Sequence, residues 1–346
     1  MQEWEQELAC LVTNIDDLKR YLNITKEEEV AIDKNCSLKI TPHLLYQMKY
    51  NDKDCKIRKQ FIPYKQGISS KVSFYDDFLC EAKNEACENL VIRYPHKAIL
   101  LVTNECPAYC QFCTRKRIVG KSEYKNNLDS AFKYLNEHTE IYDIVITGGD
   151  PLLLRDDELE YIFRKIAKIK SIKFIRLNTR TPVTIPKRIT EGLIGILKKY
   201  NVNYINIHFE HPDEISEETT NVCLQLANNG IILGSQSVLL NSINNDQKTL
   251  KELFLKLLSI KVKPYYLYQC DKITGCQQFY VSPLEGITLI NSISSEIPGL
   301  AVPRFVIDAP DKMGKTTVAP NGIIEQEENN LILKNFQNNN IYHYEF

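Results

Sequence analysis

Three closely spaced cysteines are the residues of this sequence most capable of chemistry. Cys106, Cys110 and Cys113 follow a C-x3-C-x2-C spacing just after an apolar run, which places them on a predicted loop at a strand end. Thiolates this close together can hold a soft metal or an iron–sulfur cluster. Zinc would need a fourth protein ligand, whereas a cubane cluster bound by three cysteines leaves one iron open for a small molecule. The spacing therefore favours a metal or cluster site over three unrelated cysteines.

Two further segments in predicted strands carry groups suited to binding. Gly148 and Gly149 have no side chain, so their backbone can approach a ligand closely. Asp150, the next residue, can accept hydrogen bonds from an ammonium group. Taken alone, this Gly-Gly-Asp motif is also a common turn at a strand end. Gln236 lies in a later predicted strand, where its amide would bind either a ligand or nearby backbone.

Charged side chains supply the remaining candidates. Arg115 closely follows the cysteines, and a guanidinium there can grip a carboxylate with two parallel hydrogen bonds. Asp271 and Asp308 would repel each other in a shared site unless a cation lay between them; alternatively, each caps a separate turn. Lys315 could form a Schiff base only where its surroundings kept the amine neutral, and a lysine in a loop is usually just solvated. Arg93 is a candidate phosphate partner by its charge.

Short apolar runs that alternate with amphipathic segments must position these groups. The predicted strands are 98–103, 142–147, 173–178, 203–209, 231–238 and 263–269. The predicted helices are 128–138, 157–169, 186–200, 217–229, 247–260 and 282–294. Strand–helix units repeated in this way predict an α/β fold whose parallel sheet is covered on both faces. Such a sheet is either doubly wound or curled into a full or partial barrel, with active groups at the carboxyl ends of its strands.

The two ends of the chain differ from this repeating middle. Residues 1 to about 97 are predicted to be mostly helical, with apolar residues at helical spacing that would form one amphipathic face. These residues are Trp4, Leu8, Leu11, Ile15, Leu18 and Leu22. After residue 302, a few apolar residues precede an asparagine-rich tail, for which the sequence indicates only a local polar bias.

Composition argues against several classes of protein. The 346 residues carry 43 Lys+Arg and 44 Asp+Glu, a net charge of −1, which disfavours a nucleic acid as the main partner. No apolar run reaches the roughly 18 residues that span a bilayer, and the acidic start is unlike a signal peptide. An odd total of 11 cysteines without an export signal does not indicate a disulfide framework. We therefore expect a cytoplasmic protein that contacts neither nucleic acid nor membrane.

The cysteine motif after a first strand resembles that of the radical S-adenosylmethionine (SAM) superfamily. Over nearly its whole length, the sequence is also similar to the lysine 2,3-aminomutases. The matching segments are 57–63, 93–95, 114–117, 147–150, 180–182, 208–209, 211–212, 236–240, 264–266, 270–271 and 307–310. The resemblance implies a partial (β/α)6 TIM-like barrel over residues 98–300, a helical N-terminal region over 1–97, and a C-terminal segment over 301–346.

The resemblance also implies cofactors and residue roles. The cofactors are a [4Fe–4S] cluster, SAM and pyridoxal 5′-phosphate (PLP). By resemblance, the cluster is held by Cys106, Cys110 and Cys113, and SAM by Gly148, Gly149, Asp150 and Gln236. PLP is then bound by the catalytic Lys315 and by Arg93, and the substrate by Arg115, Asp271 and Asp308. In this assignment Arg115 takes the α-carboxylate, and the two aspartates take the side-chain cation of a basic amino acid.

Several positions depart from the family pattern. Residues 311–313 are Asp, Lys and Met where the family has glycines before its PLP lysine, and Phe112 replaces a histidine near the coenzyme. Lys97 replaces an arginine, so a point charge replaces a planar fork. The tail lacks the cysteines that bind structural zinc in typical members, and Asp246 replaces another of them. Structural zinc is therefore not expected.

The resulting hypothesis is an aminomutase that moves the α-amino group of L-lysine to the β-carbon. Alternatives within the enzyme class are arginine as the substrate, or supply of β-lysine for modification of elongation factor P. An alternative from another class is a non-catalytic iron–sulfur carrier or regulator. The hypothesis implies an amino-acid substrate and a reductant protein of the flavodoxin or ferredoxin type, and a homo-oligomer is compatible with it.

Overall fold

Alternating strands and helices make up most of the chain. The computed structural model describes residues 2–33, 38–64, 72–121, 127–202, 204–327, 330–334 and 341–345. The helices are α1 (Glu3–Ala9), α2 (Ile15–Leu18), α3 (Lys26–Asp33), α4 (Pro42–Gln47), α5 (Lys56–Phe61), α6 (Asp129–Glu137), α7 (Asp156–Ile166), α8 (Thr181–Thr184), α9 (Glu191–Lys199), α10 (Glu217–Asn228), α11 (Gln247–Ser259) and α12 (Pro283–Ile293). The strands are β1 (Glu85–Cys87), β2 (Leu90–Tyr94), β3 (Lys97–Leu101), β4 (Asp143–Thr147), β5 (Phe174–Thr179), β6 (Tyr204–Ile207), β7 (Ile232–Leu239), β8 (Val262–Gln269), β9 (Arg304–Ala309), β10 (Gly314–Ala319), β11 (Ile323–Glu327), β12 (Asn330–Lys334) and β13 (Ile341–Glu345).

One mixed sheet organises the described residues. Its strands run in the order β1 to β10, and β3 to β9 pair in parallel with their neighbours. At the two edges β1, β2 and β10 are antiparallel, so the described strands curl without closing into a full barrel. The predicted α/β partial barrel is therefore confirmed. Its predicted strands and helices agree with the observed ones to within a few residues, although residue 203 lies outside the described residues.

Amphipathic helices cover this sheet, and α11 shows why they form where they do. The side chain of Asp246 accepts a hydrogen bond from the backbone N–H of Thr249 at 2.9 Å and so caps the first turn. The buried face of α11 repeats at helical spacing through Leu250, Leu253, Phe254 and Leu257. Asp246, which replaces a zinc-binding cysteine of the family, thus has a structural role as a helix cap.

The predicted single amphipathic face near the N-terminus is wrong. The first helix, α1, ends at Ala9, and Val12 pairs with Ile40 in an isolated β-bridge before α2 begins. Trp4 and Leu18 are both buried, but from separate helices. Periodic spacing alone did not reveal this break, because the apolar residues keep helical spacing across the non-helical segment between α1 and the Asn14 cap of α2.

Strands from both ends of the chain join the structure. In the main sheet β1 and β2 lie on one side, and β9 and β10 on the other. The tail, for which the sequence indicated only a polar bias, contributes β11, β12 and β13 to a small separate antiparallel sheet. Each of the parts 1–97, 98–300 and 301–346 supplies strands to the main sheet, so the sheet does not mark boundaries between them. The division into these three parts stays a prediction.

A buried ion pair links the two sides of the open barrel. Arg93 of β2 donates from Nη2 to Asp308 Oδ1 at 2.9 Å and from Nη1 to Oδ2 at 3.3 Å. Its Nε and Nη2 also donate to the backbone carbonyls of Asp311 and Ala309, at 2.9 and 2.6 Å. Both side chains of the pair are almost fully buried. Since β2 and β9 are not adjacent in the sheet, no backbone hydrogen bonds of a strand pair join them. The Arg93–Asp308 pair is therefore a side-chain link across the opening.

Replacing Arg93 should therefore destabilise the whole barrel. Arg93→Gln leaves buried acceptors on Asp308, Ala309 and Asp311 without their donor, and we expect a loss of about 3 kcal/mol in the free energy of unfolding. Urea unfolding followed by circular dichroism measures this loss. Arg155→Gln is the control, because Arg155 forms exposed pairs with Asp157 and Glu158, and their loss should leave stability nearly unchanged. Equal stability of the two variants would show that Arg93 does not link the barrel.

Candidate active site

A cavity at the carboxyl ends of the parallel strands collects most of the predicted site residues. Its volume is about 240 Å³. The predicted residues that line it are Cys106, Cys110, Cys113, Arg115, Gly148, Gly149, Asp150, Gln236, Asp271 and Asp308. Arg93 and Lys315 do not line it, but both contact Asp308 from behind. The structure thus brings all of the predicted residues into one region, although their roles stay predictions.

The cysteine loop follows β3 and is tied to the N-terminal helices. The backbone N–H of Tyr109 donates to Lys39 at 2.9 Å, and that of Gln111 donates to Gln60 at 2.7 Å. Burial raises the pKa of all three site thiols, that of Cys110 to about 11. Because thiolates in such a place need a compensating cation, the donor set fits iron or another soft metal.

The spacing of potential ligands is relevant to the kind of metal centre. Among the described residues, no three His, Cys, Asp or Glu side chains converge closely enough to form a site for one metal ion. A cubane cluster binds each cysteine through a different iron atom, which separates the sulfur atoms more than a single ion does. All three thiols line the cavity, and the cluster that they would hold is a prediction from their spacing in the sequence.

Gly148 and Gly149 are required by the cysteine loop itself. A Cβ on Gly148 would lie 2.1 Å from the carbonyl oxygen of Thr103, and one on Gly149 would lie 2.1 Å from that of Glu105. The backbone N–H of Gly149 donates to Thr103 at 2.6 Å. The predicted close approach of these glycines is thus made to the protein backbone that carries the cysteines, in addition to the cavity that they line.

Asp150 is held rigidly beside these glycines. Its Oδ1 accepts from the Thr179 hydroxyl at 2.6 Å and from the backbone of Leu152 at 3.1 Å, and its Oδ2 accepts from the backbone of Arg180 at 2.7 Å. Burial raises the pKa of Asp150, and these three hydrogen bonds oppose that shift. The carboxylate therefore joins the ends of β4 and β5 and also faces the cavity.

Arg115 forms a buried pair with an acid that the sequence did not indicate. Its Nε donates to Glu81 Oε2 at 2.9 Å and its Nη2 donates to Oε1 at 2.8 Å, while Nη1 reaches the Thr147 hydroxyl at 3.1 Å. The Glu81 carboxyl is deeply buried; burial by itself would raise its pKa, but Arg115 outweighs this and lowers it. Glu81 therefore fixes the orientation of Arg115 at the cavity wall. No sequence motif marks Glu81, and only the three-dimensional structure shows that it pairs with Arg115.

Lys315 lies on a strand and not in a loop. Antiparallel pairing of β10 with β9 places it directly opposite Asp308, and its Nζ lies 2.9 Å from Asp308 Oδ2. The ammonium group also lies 5.9 Å from the ring of Tyr94 and 5.7 Å from that of Tyr268. Tyr268 lines the cavity, so Lys315 is located at the cavity edge between two aromatic rings.

Asp271 differs from the other acids of the cavity. Within the described residues its carboxylate forms no hydrogen bond or ion pair, although Asp308 already has two cationic partners. Burial and the nearby charge of Asp308 raise the pKa of Asp271 to about 8, against the weaker opposing effects of Lys315 and Arg93. Among the described residues Asp271 has neither a cation nor a hydrogen-bond donor to compensate its charge, and a bound cation would stabilise its charged form.

The positions that depart from the family pattern have local explanations. Asp311, in place of a glycine, has a left-handed backbone (φ 59°). Its side chain accepts from Lys83 at 2.6 Å and from Asn84 at 2.9 Å, which supports this strained conformation. Lys97 lies over the ring of Tyr94 at 4.6 Å, and Phe112 packs edge-on against Phe279.

Comparison with known proteins adds to this geometry. A family model described as the radical SAM superfamily matches residues 100–235, and one described as lysine-2,3-aminomutase matches residues 290–345. The chain is 38% identical over 341 residues to the L-lysine 2,3-aminomutase of Clostridium subterminale, an alignment that covers 97% of this chain and 82% of that protein. The chain belongs to the lysine 2,3-aminomutase family. It is also 37% identical to the L-lysine 2,3-aminomutase of Bacillus subtilis, covering 97% of this chain and 72% of that protein.

Membership of the lysine 2,3-aminomutase family makes the chain an enzyme of the isomerase class, and not the carrier or regulator considered above. The family uses a [4Fe–4S] cluster, SAM and PLP, which confirms the predicted cofactors. Another relative, the glutamate 2,3-aminomutase of Clostridioides difficile, is 34% identical and covers 97% of this chain and 82% of its own length. The amino-acid substrate is therefore inferred from the residues that line the site. None of the helices in the described residues is long and apolar enough to cross a membrane.

Substitution of Gly149 tests the packing beneath the cysteine loop of this aminomutase. In Gly149→Ala the new methyl group meets the carbonyl of Glu105, so the loop must shift, and we expect iron binding after anaerobic reconstitution to fall at least severalfold. Iron per chain, measured with a chromogenic chelator, reports the loss. Gly195→Ala is the matched control, because a Cβ there meets nothing within 4 Å. Full iron content in Gly149→Ala would contradict this account of the glycine.

Proposed function

We propose that the protein converts L-lysine into β-lysine by moving the α-amino group to the β-carbon. The observation that carries the proposal is Asp271, an acid without a side-chain partner among the described residues, in a cavity that Arg115 and Asp308 also line. A cavity lined by both a guanidinium and a carboxylate without a partner among the described residues matches an amino acid with a basic side chain. A side-chain carboxylate, as in glutamate, would instead add negative charge beside two acids.

The cofactors would be held by the residues that surround this cavity. We assign the cluster to Cys106, Cys110 and Cys113, and SAM to the wall formed by Gly148, Gly149, Asp150 and Gln236. We assign PLP to Lys315, with Arg93 as a neighbour. When bound, these cofactors supply the hydrogen-abstracting radical and an electrophile that carries the migrating nitrogen. The protein itself binds, orients and shields the substrate, and the buried cavity walls keep water away from it.

Arg115 would orient the substrate through its α-carboxylate. Glu81 occupies the side of the guanidinium formed by Nε and Nη2, and Nη1 contacts the Thr147 hydroxyl at 3.1 Å and the Gly148 carbonyl oxygen at 3.5 Å. A substrate carboxylate would therefore bind at the edge formed by Nη1 and Nη2, beside these two acceptors. Since the Arg115 guanidinium is held by Glu81, the Thr147 hydroxyl and the backbone carbonyl of Gly148, it has little rotamer freedom to lose when a substrate binds. This favours one position of the α-carbon relative to the cysteine loop.

Asp271 would take the side-chain ammonium of lysine. Asp308 already pairs with Arg93 and Lys315, whereas burial and the nearby Asp308 charge make the ionised form of Asp271 costly until a cation binds beside it. A lysine ε-ammonium, with a usual pKa near 10.4, is charged at neutral pH and would pair with the ionised carboxylate. An arginine guanidinium carries the same charge, so the two substrates must be separated by assay.

The location of the enzyme, its electron donor and its other partners are also proposed. We propose a cytoplasmic location and a flavodoxin- or ferredoxin-type protein as the electron donor, because radical formation needs a supplied electron. Neither nucleic acid nor a membrane is proposed as a partner. A homo-oligomer is compatible with the sequence, and we propose no structural zinc for it.

A turnover assay tests the substrate. Reconstituted enzyme receives SAM, PLP and a reductant without oxygen, with L-lysine, L-arginine and L-glutamate offered separately, and mass spectrometry identifies the β-amino products. We expect β-lysine, with a decrease of about 100-fold in kcat/KM in Asp271→Asn, because a buried charge pair is lost. Asp157→Asn, at an exposed helix position, is the control and should match the parent enzyme. A β-glutamate product, or an unchanged Asp271→Asn, would contradict the assignment.

The raised pKa of Asp271 predicts a pH dependence. Below pH 8 the carboxyl is mainly protonated in the free enzyme and cannot pair with an ammonium group, and above pH 8 it is ionised. Because kcat/KM reports the free enzyme, its value for L-lysine should rise as the pH increases through about 8. Initial rates between pH 6.5 and 9 at low substrate, roughly the range around this pKa, measure the effect. If Asp271→Asn keeps the same rise, another group is responsible.

A further inference from the structure

A buried arginine that has no role in the assignments above contacts the cysteine loop. Arg180 follows β5, and its Nη1 lies 2.8 Å from the Sγ atom of Cys110. The residue lines the cavity, and only 7% of its surface is exposed. Its guanidinium lies 4.7 Å from the ring of Phe61 and 5.3 Å from that of Phe112. A full positive charge thus lies beside a predicted cluster ligand, where solvent screens it little.

A buried acid lies on the other side of this guanidinium. Glu214 Oε2 accepts from Arg180 Nη2 at 3.1 Å, and Gln60 accepts from the same nitrogen. The other oxygen of Glu214 accepts from the Gln60 amide at 2.7 Å and from the backbone of Glu210 and His211 at 3.1 and 2.9 Å. The acid is fully buried and held in place, so it fixes both the position and the partial neutralisation of Arg180.

We infer that Arg180 and Glu214 together set the reduction potential of the cluster bound by Cys106, Cys110 and Cys113. Reduction adds one electron from the donor protein and makes the cluster one unit more negative. A positive charge that donates a hydrogen bond to a ligand sulfur stabilises this reduced form, and a more distant negative charge opposes it. Arg180 therefore raises the potential, and Glu214 moderates the increase. This inference rests on the proposed cluster site and not on the identity of the amino-acid substrate.

A purely structural ion pair would behave differently. If Arg180 and Glu214 only hold β5 to the neighbouring helices, removal of either one should loosen the loop in the same way. If they act by charge, the two removals should move the potential in opposite directions. The sign of the shift, and not a loss of activity, therefore distinguishes the two explanations.

The test is a redox titration of reconstituted holoenzyme, monitored by electron paramagnetic resonance of the reduced cluster. We expect Arg180→Gln to lower the midpoint potential and Glu214→Gln to raise it, with unchanged iron per chain. Arg176→Gln is the matched control: it removes an arginine of β5, the strand that Arg180 follows, whose partner is Asp143 and not a cysteine, and it should leave the potential unchanged. Shifts in the same direction, or no shift with full iron content, would overturn the inference.

A second measurement covers failure of the first variant. If Arg180→Gln binds no cluster, Glu214→Gln alone decides, because it retains the hydrogen bond to Cys110 and must still raise the potential. An unchanged potential in Glu214→Gln would then overturn the inference. Failure of the proposed cluster site itself has a separate signature, since the parent protein would take up no iron–sulfur cluster and show no reduced-cluster signal.

Discussion

The ion pair between Arg93 and Asp308 is the interaction on which the rest of the site depends. The parallel sheet curls without closing, so no backbone ladder joins its two sides, and this side-chain pair spans the opening. Asp308 in turn holds Lys315, which the β9–β10 register places opposite it. The position of the proposed PLP lysine is therefore determined by a contact between residues 215 positions apart.

Buried arginine–carboxylate pairs recur around the cavity. Each isolated charge would be costly to bury, and pairing makes the burial tolerable while fixing the geometry of both groups. In this way Glu81 orients the proposed carboxylate-binding arginine, and Glu214 orients the arginine beside Cys110. Asp271 is the exception, since the described residues supply it with no such partner. An uncompensated acid among compensated ones indicates where a cationic ligand would be bound most strongly.

Neighbouring side chains stabilise one segment in which this chain departs from the family pattern. Asp311 keeps the left-handed backbone for which a glycine would be preferred, and Lys83 and Asn84 bind its side chain. The same residue's carbonyl accepts from Arg93, so the segment before Lys315 remains attached to the barrel opening. Loss of glycines in this segment is thus compatible with an ordered lysine, because new polar contacts offset the backbone strain.

The sequence by itself determined the α/β repeat and the cysteine loop, because apolar periodicity and cysteine spacing are local properties of the chain. Together with the family resemblance, it also identified the acids at 271 and 308. Only the tertiary structure decided that Asp308 is already paired while Asp271 has no partner among the described residues, since the partners of Asp308 come from β2 and β10. It also revealed Glu81, which no motif marks. Charge compensation in a buried site depends on contacts between side chains that are distant in the sequence, and local sequence patterns do not specify those contacts.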